Sequence, residues 1–265
     1  MSYNNSNMKL LSQNKADLLT ELVKTSFKMR YQNSALGVLW VLIKPYSQFL
    51  VQYIVWTRIT NFQIPNYQLY LLLGIVMFTF FNELIILGQM SLLDRAHIIL
   101  KVNFPRQIAI FSALISALIN LAINMVFFII IAYINKLTIT PFSILYFVLL
   151  ATILFIFGVG ISFFTSILTI KLRDLKNVFE LGLFLLQWLT PIFYSISSNF
   201  VEGSVSNYIS ANPLGIVINQ ARAAFGIYGE LNVGLMFAYL AGAIIVFVLG
   251  WIYFNKKVKE IAEYF

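Results

Sequence analysis

Ionisable side chains are scarce in this chain, and their placement limits the chemistry it can perform. Between the first and last apolar runs the carboxylates are Glu83, Asp94, Asp174, Glu180, Glu202 and Glu230, and the only histidine is His97. Acid–base or metal-assisted catalysis needs such groups gathered at one spot, and these are scattered along the chain and over both sides of the layer it crosses. Cysteine is absent, which removes disulfides and thiolate metal sites. None of the 13 glycines belongs to a G-x-x-x-x-G-K-[ST] phosphate loop, so any ATP-driven work draws its energy from another chain. One carboxylate stands apart. Glu83 falls deep in an apolar run, where a central charge costs roughly 2.5–3.5 kcal/mol on insertion scales. Protonation, a water-filled cavity or a partner cation would compensate it, with Arg58 the candidate cation. An inter-helix polar contact and a gating role both fit that position.

The elements that must carry these residues are membrane helices. Of the 265 residues, 60% are hydrophobic and 11% charged, and the mean hydropathy is +0.84. A water-soluble core with a solvated surface does not have that composition. Six runs approach the roughly 20 residues that a spanning helix requires: Val38 to Trp56, Tyr67 to Met90, Ile108 to Ile134, Phe142 to Ile170, Val178 to Tyr194 and Val233 to Phe254. Their continuous apolarity argues against barrel strands, which alternate over about ten positions. The fifth run is barely long enough, and Pro191 predicts a bend or an early stop.

Ahead of the first span, residues 8–30 read as an amphipathic helix lying along the membrane surface. Leu18, Leu19, Leu22, Val23 and Phe27 recur at helical spacing among Lys15, Lys24, Lys28 and Arg30. The six-span body then covers residues 31–257, and Gly37 offers a point of close helix approach. With the N-terminus inside, all of the 18 Lys and Arg residues except Arg58, Lys136 and Arg222 lie on the inner side. The positive-inside rule asks for that distribution from an even number of spans, with both termini cytoplasmic. The net charge of +8 is therefore a topology signal, and a nucleic-acid partner is not expected. Two links exceed simple turns. The inner one, residues 91–106, reads as a short surface helix stopped by Phe104-Pro105, either a solvated loop or a docking helix for a cytoplasmic partner. The outer one, residues 195–232, is too interrupted to span and reads as re-entrant or interfacial helices, with Pro213 at a helix start.

Several motifs, in this order and at these depths, carry a resemblance. They are Arg30-Tyr31, Ser34, Leu36-Gly37, Trp40 and Pro45; Asn103-Phe104-Pro105-Arg106; Arg173-Asp174; Thr190-Pro191-Ile192-Phe193-Tyr194; and Asn212-Pro213-Leu214 followed by Arg222. Through nearly its whole length the chain resembles the permease subunits of ATP-binding-cassette exporters of lipid-linked polysaccharides, the O-antigen, teichoic-acid and rhamnose-polysaccharide group. Lys44 departs from the glutamine that members often carry before the proline.

The resemblance implies an all-α integral membrane subunit, not itself an enzyme, in the plasma membrane of a bacterium. It implies a homodimer with two copies of a nucleotide-binding ATPase, which would hold the ATP and Mg that this chain does not. Leu93, Asp94, Arg95, Ala96, His97, Ile98 and Ile99 become the candidates for coupling to that ATPase. For a polyprenyl-diphosphate-linked glycan entering from the inner leaflet, Arg30, Tyr31 and Lys44 are the candidates at the diphosphate. Tyr53 and Trp56 in the first run, and Trp188 and Tyr194 in the fifth, are the candidates for stacking against sugar faces along a conduit. Membrane-interface belts or packing would place the same aromatics equally well. Two other function classes predict different residues. A membrane-embedded enzyme of glycan assembly would need clustered acids or histidines, and a secondary transporter or channel would show inverted repeats or several intramembrane ionisable groups.

Overall fold

Long uninterrupted apolar runs satisfy their backbone polar groups internally only as helices or closed barrels, and here they form helices. A computed structural model of the chain describes residues 17–26, 28, 36–59, 64–99, 105–195, 209–258 and 260, and no strand occurs among them. Residues 17–26 form α1. A 3-10 turn at Gly37–Leu39 leads into α2 (Trp40–Ile59), followed by α3 (Tyr67–Met90), α4 (Ala96–Ile99), α5 (Gln107–Ile134), α6 (Pro141–Lys171), α7 (Leu175–Leu189), α8 (Pro213–Ala224) and α9 (Val233–Lys257). Five of these, α2, α3, α5, α6 and α9, are long and apolar enough to cross a membrane. α7 is more amphipathic and has only 15 residues, about 22 Å of rise. It ends before Pro191, which lacks the N–H that a further turn would need.

Sequence neighbours run in opposite directions, so one end of the bundle gathers α1, α4, the α6–α7 turn and the lysine-rich end of α9. This is the basic end; the other, the far end, holds Arg58, Lys136 and α8. At the centre stands α3, of whose span 72% is buried, against 11% for α2 and 17% for α9. α5 packs antiparallel and α6 parallel to α3. α6 and α9 cross very closely: a Cβ on Gly160 would sit 2.7 Å from the Phe247 backbone nitrogen, and one on Gly250 would strike the Gly160 carbonyl. Only glycine permits that approach.

Two local features decide how α2 sits. Gly37 has φ 47°, a left-handed value that glycine adopts without strain, and it turns the chain into α2. Pro45 lies inside α2 and has no N–H to give to the carbonyl four residues earlier, at Val41. Asn124 of α5 supplies it: its Nδ2 donates to the Val41 carbonyl at 3.4 Å. Tyr46, the next residue, donates back to the Asn124 carbonyl at 3.3 Å. The gap opened by the proline is thus the point at which α2 is fastened to α5.

Candidate functional site

At the far end, the segment after α7 folds back over α3 and is held there by one arginine. Asn212 caps α8 by accepting from the Leu214 N–H at 3.0 Å, and Pro213 occupies the first turn, as the Asn-Pro pair predicts. Ten residues on, Arg222 is fully buried. Its Nε donates to the Tyr70 carbonyl at 3.1 Å, Nη1 to the Pro191 carbonyl and to Asn219 Oδ1, both at 2.8 Å, and Nη2 to the Ile192 carbonyl at 3.0 Å. The guanidinium carbon lies 3.4 Å from the centroid of the Tyr70 ring. Burying a cation costs several kcal/mol, and this shell of oriented carbonyl dipoles plus a ring face offsets it. α3 makes the space by carrying glycine at position 74, where a Cβ would collide with Nη2.

The same clamp orders the aromatic residues. Tyr67 Oη donates to the Phe193 carbonyl and Tyr70 Oη to the Tyr194 carbonyl, each at 2.8 Å, while Tyr194 Oη reaches the Trp188 carbonyl at 3.1 Å. Trp56 of α2 stacks on Phe193 at 6.1 Å between centroids, and Trp188 of α7 meets the same ring at 5.4 Å. Tyr53 stacks on Phe49 and on Tyr67. All four aromatics singled out from the sequence therefore join one cluster spanning α2, α3 and the end of α7. Their exposures differ: Tyr194 is buried, Tyr53 and Trp56 are half-buried, and Trp188 is 52% exposed. Of the four, Trp188 is the most exposed.

Midway through the bundle, Glu83 accepts from Asn120 Nδ2 on both oxygens, at 3.0 and 2.8 Å. The expected neighbour Arg58 is elsewhere. It is exposed at the far end of α2, whereas Glu83 lies 16 residues into α3 from that end, about 24 Å along the axis. Asn120 and Asn124 sit one turn apart on α5, and Asn124 Nδ2 also donates to the Asn120 carbonyl at 2.8 Å. A polar path thus runs from Glu83 to the proline gap of α2.

At the basic end, residues 91–95 turn into α4. Arg95 points inward: it is 5% exposed, with Nη1 on the Ser91 carbonyl at 3.1 Å and Nη2 on Ser26 Oγ of α1 at 2.5 Å. Ile99 is buried beside it, whereas Leu93, Ala96 and Ile98 are half-buried and Asp94 is exposed. The His97 side chain lies outside the described residues, as do Arg30 and Tyr31. Lys44 is exposed on the first turns of α2. Arg106 donates to the Val258 carbonyl and Gln107 Nε2 to Asn255 Oδ1 at 2.9 Å, joining the start of α5 to the end of α9.

Sequence reading placed Arg222 in a motif and on the outer side without its role as a clamp, and it passed over Asn120, Asn124 and Gly74. Two asparagines at i and i+4 inside an apolar run were the signal for the first pair. For Gly74 no local signal exists, since its reason is a side chain 148 residues away.

An all-helical bundle that buries an arginine in carbonyls, bonds its mid-span carboxylate to an asparagine and carries five spans of membrane length is a multi-pass membrane protein. The ABC-2 type transporter family matches residues 17–226, and the chain belongs to that family of transporter membrane subunits. It is 28% and 29% identical, over 247 and 252 residues, to two O-antigen export system permease proteins RfbA of Klebsiella pneumoniae. It is also 24% identical over 248 residues to the O-antigen export system permease protein RfbA of Myxococcus xanthus. Each match covers 93% of this chain and 94% of the relative.

Proposed function

We propose that the chain is the permease subunit of an exporter that moves a polyprenyl-diphosphate-linked cell-surface polysaccharide across the bacterial plasma membrane. ATP hydrolysis on a separate nucleotide-binding subunit drives it. The observation that carries this reading is the end-to-end similarity to O-antigen export permeases, 93% of the chain in each case. Family membership supports the transport role.

In this reading α7 is a sixth, short crossing, α8 is re-entrant, and the basic end with both termini is cytoplasmic. Two copies enclose one conduit. The sparse burial of α2 and α7 supports that arrangement, since Leu50, Val51 and Ile54 on α2 and Leu181, Phe184, Leu185 and Trp188 on α7 are exposed in the single chain. Trp188 and Trp56, held about a common phenylalanine, form the stacking surface for sugar faces, which tolerate sliding because dispersion is weakly directional. Arg30, Tyr31 and Lys44 meet the diphosphate at the cytoplasmic rim, and the surface of α4 with Asp94 seats the ATPase. The test is co-purification with the ATPase subunit, reconstitution in nanodiscs and measurement of ATP hydrolysis. Polyprenyl-diphosphate-linked glycan is expected to stimulate hydrolysis, and Arg30→Ala with Lys44→Ala to reduce that stimulation. Hydrolysis indifferent to the glycolipid in the unaltered complex would reject the reading.

A further inference from the structure

A serine or threonine inside a helix ordinarily turns its hydroxyl back onto the carbonyl one turn earlier. Ser116 on α5 and Thr152, Ser162 and Thr165 on α6 do so, at 3.0, 2.8, 2.6 and 3.1 Å. Ser166 and Thr169, next along α6, do not. Both are fully buried, and neither Ser166 Oγ nor Thr169 Oγ1 has a hydrogen-bond partner among the described residues. On α3, Gln89 is fully buried as well, with its Oε1 and its Nε2 both unpaired. Buried polar side chains nearly always find a partner, so four unpaired atoms in three neighbouring side chains call for one.

The register of the two helices brings these side chains to the same seam. α3 and α6 run in the same direction; a Cβ on Gly158 would lie 3.0 Å from the Leu84 side chain, and one on Gly88 would strike Ser162 Oγ. Ile85 of α3 and Ile161 of α6 line a common cavity. One turn nearer the basic end, the same faces carry Gln89 on α3 and Thr165 and Ser166 on α6. Thr169 follows one turn beyond Thr165. The seam therefore becomes polar just ahead of residues 91–95, the turn that leads into α4.

The mixture of donors and acceptors selects the ligand. A metal cation would suit Gln89 Oε1 and the hydroxyl oxygens but would face the amide N–H groups, and an anion would face Oε1. A hydrocarbon chain would satisfy none of them. Water both donates and accepts, and the two to four polar partners that a buried water needs are present. We infer that ordered water binds in this seam, bridging Gln89 of α3 to Ser166 and Thr169 of α6. A bridge of this kind is nearly as favourable as a direct hydrogen bond. The two ends of α3 are thus held differently, the far end by direct bonds from Arg222 and the basic end through water.

The test is radiolytic hydroxyl-radical labelling of the full chain in nanodiscs, in which radicals formed from bound water attack the side chains beside it. Leu92 and Ile170, both buried at this level, are expected to be labelled several-fold more than the buried Leu72 and Leu150 elsewhere in α3 and α6. In Gln89→Leu that excess should disappear. Labelling of Leu92 and Ile170 at the control level in the unaltered chain overturns the inference, as does an undiminished excess in Gln89→Leu. Thermal unfolding of Gln89→Leu, Ser166→Ala and the double variant tests whether the side chains share one bridge. Each single change is expected to lower the melting temperature, and the pair to lower it by less than the sum. A rise in either single variant would mean that the replaced group was buried dry, since its removal then relieves a cost; that result, or strictly additive losses, also overturns the inference. If Gln89→Leu fails to fold, labelling of the unaltered chain decides alone. Neither measurement depends on what the protein transports.

Discussion

Arg222 is the residue on which the far end depends. Four hydrogen bonds from its guanidinium reach three carbonyls and one amide oxygen on three separate segments, an arrangement that a planar fork can satisfy and a lysine ammonium cannot. Arg222→Ala leaves those acceptors unpaired in a buried site, at about 1–3 kcal/mol each. A large fall in melting temperature in detergent is expected, with Arg222→Lys intermediate. Gly74→Ala should cost nearly as much alone, because its methyl displaces the guanidinium, and little further in the Arg222→Ala background. Additive losses in that double-mutant cycle would contradict the shared origin of the two effects. Neither residue announces its role in sequence. A basic residue in a short outer helix reads as solvated, and a glycine in an apolar run reads as one of many. The aromatics were more legible, since ring type and helical spacing allowed each run to line one face and the resemblance put both runs along a conduit. Which of them stayed exposed depended on the turn at Pro191–Tyr194.

At the scale of elements, the break in α2 and the docking of α1 matter most. Asn124 substitutes for the backbone donor that Pro45 lacks. Asn124→Leu should therefore destabilise the protein by about 1–2 kcal/mol, and by much less when Pro45→Ala restores the N–H that serves Val41. Equal losses in both backgrounds, read by thermal unfolding in detergent, would disprove the substitution. Arg95 ties α1 to the turn before α4. Arg95→Ala should free α1, so that trypsin cuts after Lys24 or Lys28 several-fold faster while the rest of the bundle stays resistant. Unchanged cleavage would show that α1 is held by Leu22 and its apolar face alone. Helix existence was readable from apolar periodicity and run length, and the shortness of α7 from Pro191. The inward turn of Arg95 was not, because a charged residue in a surface segment gives no indication of a serine acceptor 69 positions earlier.

For the whole molecule, the uneven burial of the helices points outward from the single chain. α3 is enclosed, whereas α2 and α7 leave apolar and aromatic side chains uncovered. If two copies meet across these faces, single cysteines at Ile54 and Leu185 should cross-link between copies with a short bis-maleimide, while one at Ile252 on α9 should not. The natural sequence has no cysteine, so the readout has no background. Equal cross-linking at all three positions would argue against a defined interface.

Composition and run length by themselves determined that the chain is a helical membrane protein, and its ordered motifs carried the family resemblance. Those properties are additive along a chain: each residue's transfer energy and each run's length contribute without reference to distant neighbours. The carbonyl shell of Arg222, the asparagine that serves the proline gap, the Glu83–Asn120 contact in place of an Arg58 pair, and the polar seam between α3 and α6 were decided only by tertiary structure. Each is a relation between residues tens to well over a hundred positions apart. Such relations exist only once the helices have been set at particular depths and angles, and apolarity within one run carries no record of what the neighbouring helix presents at the same depth.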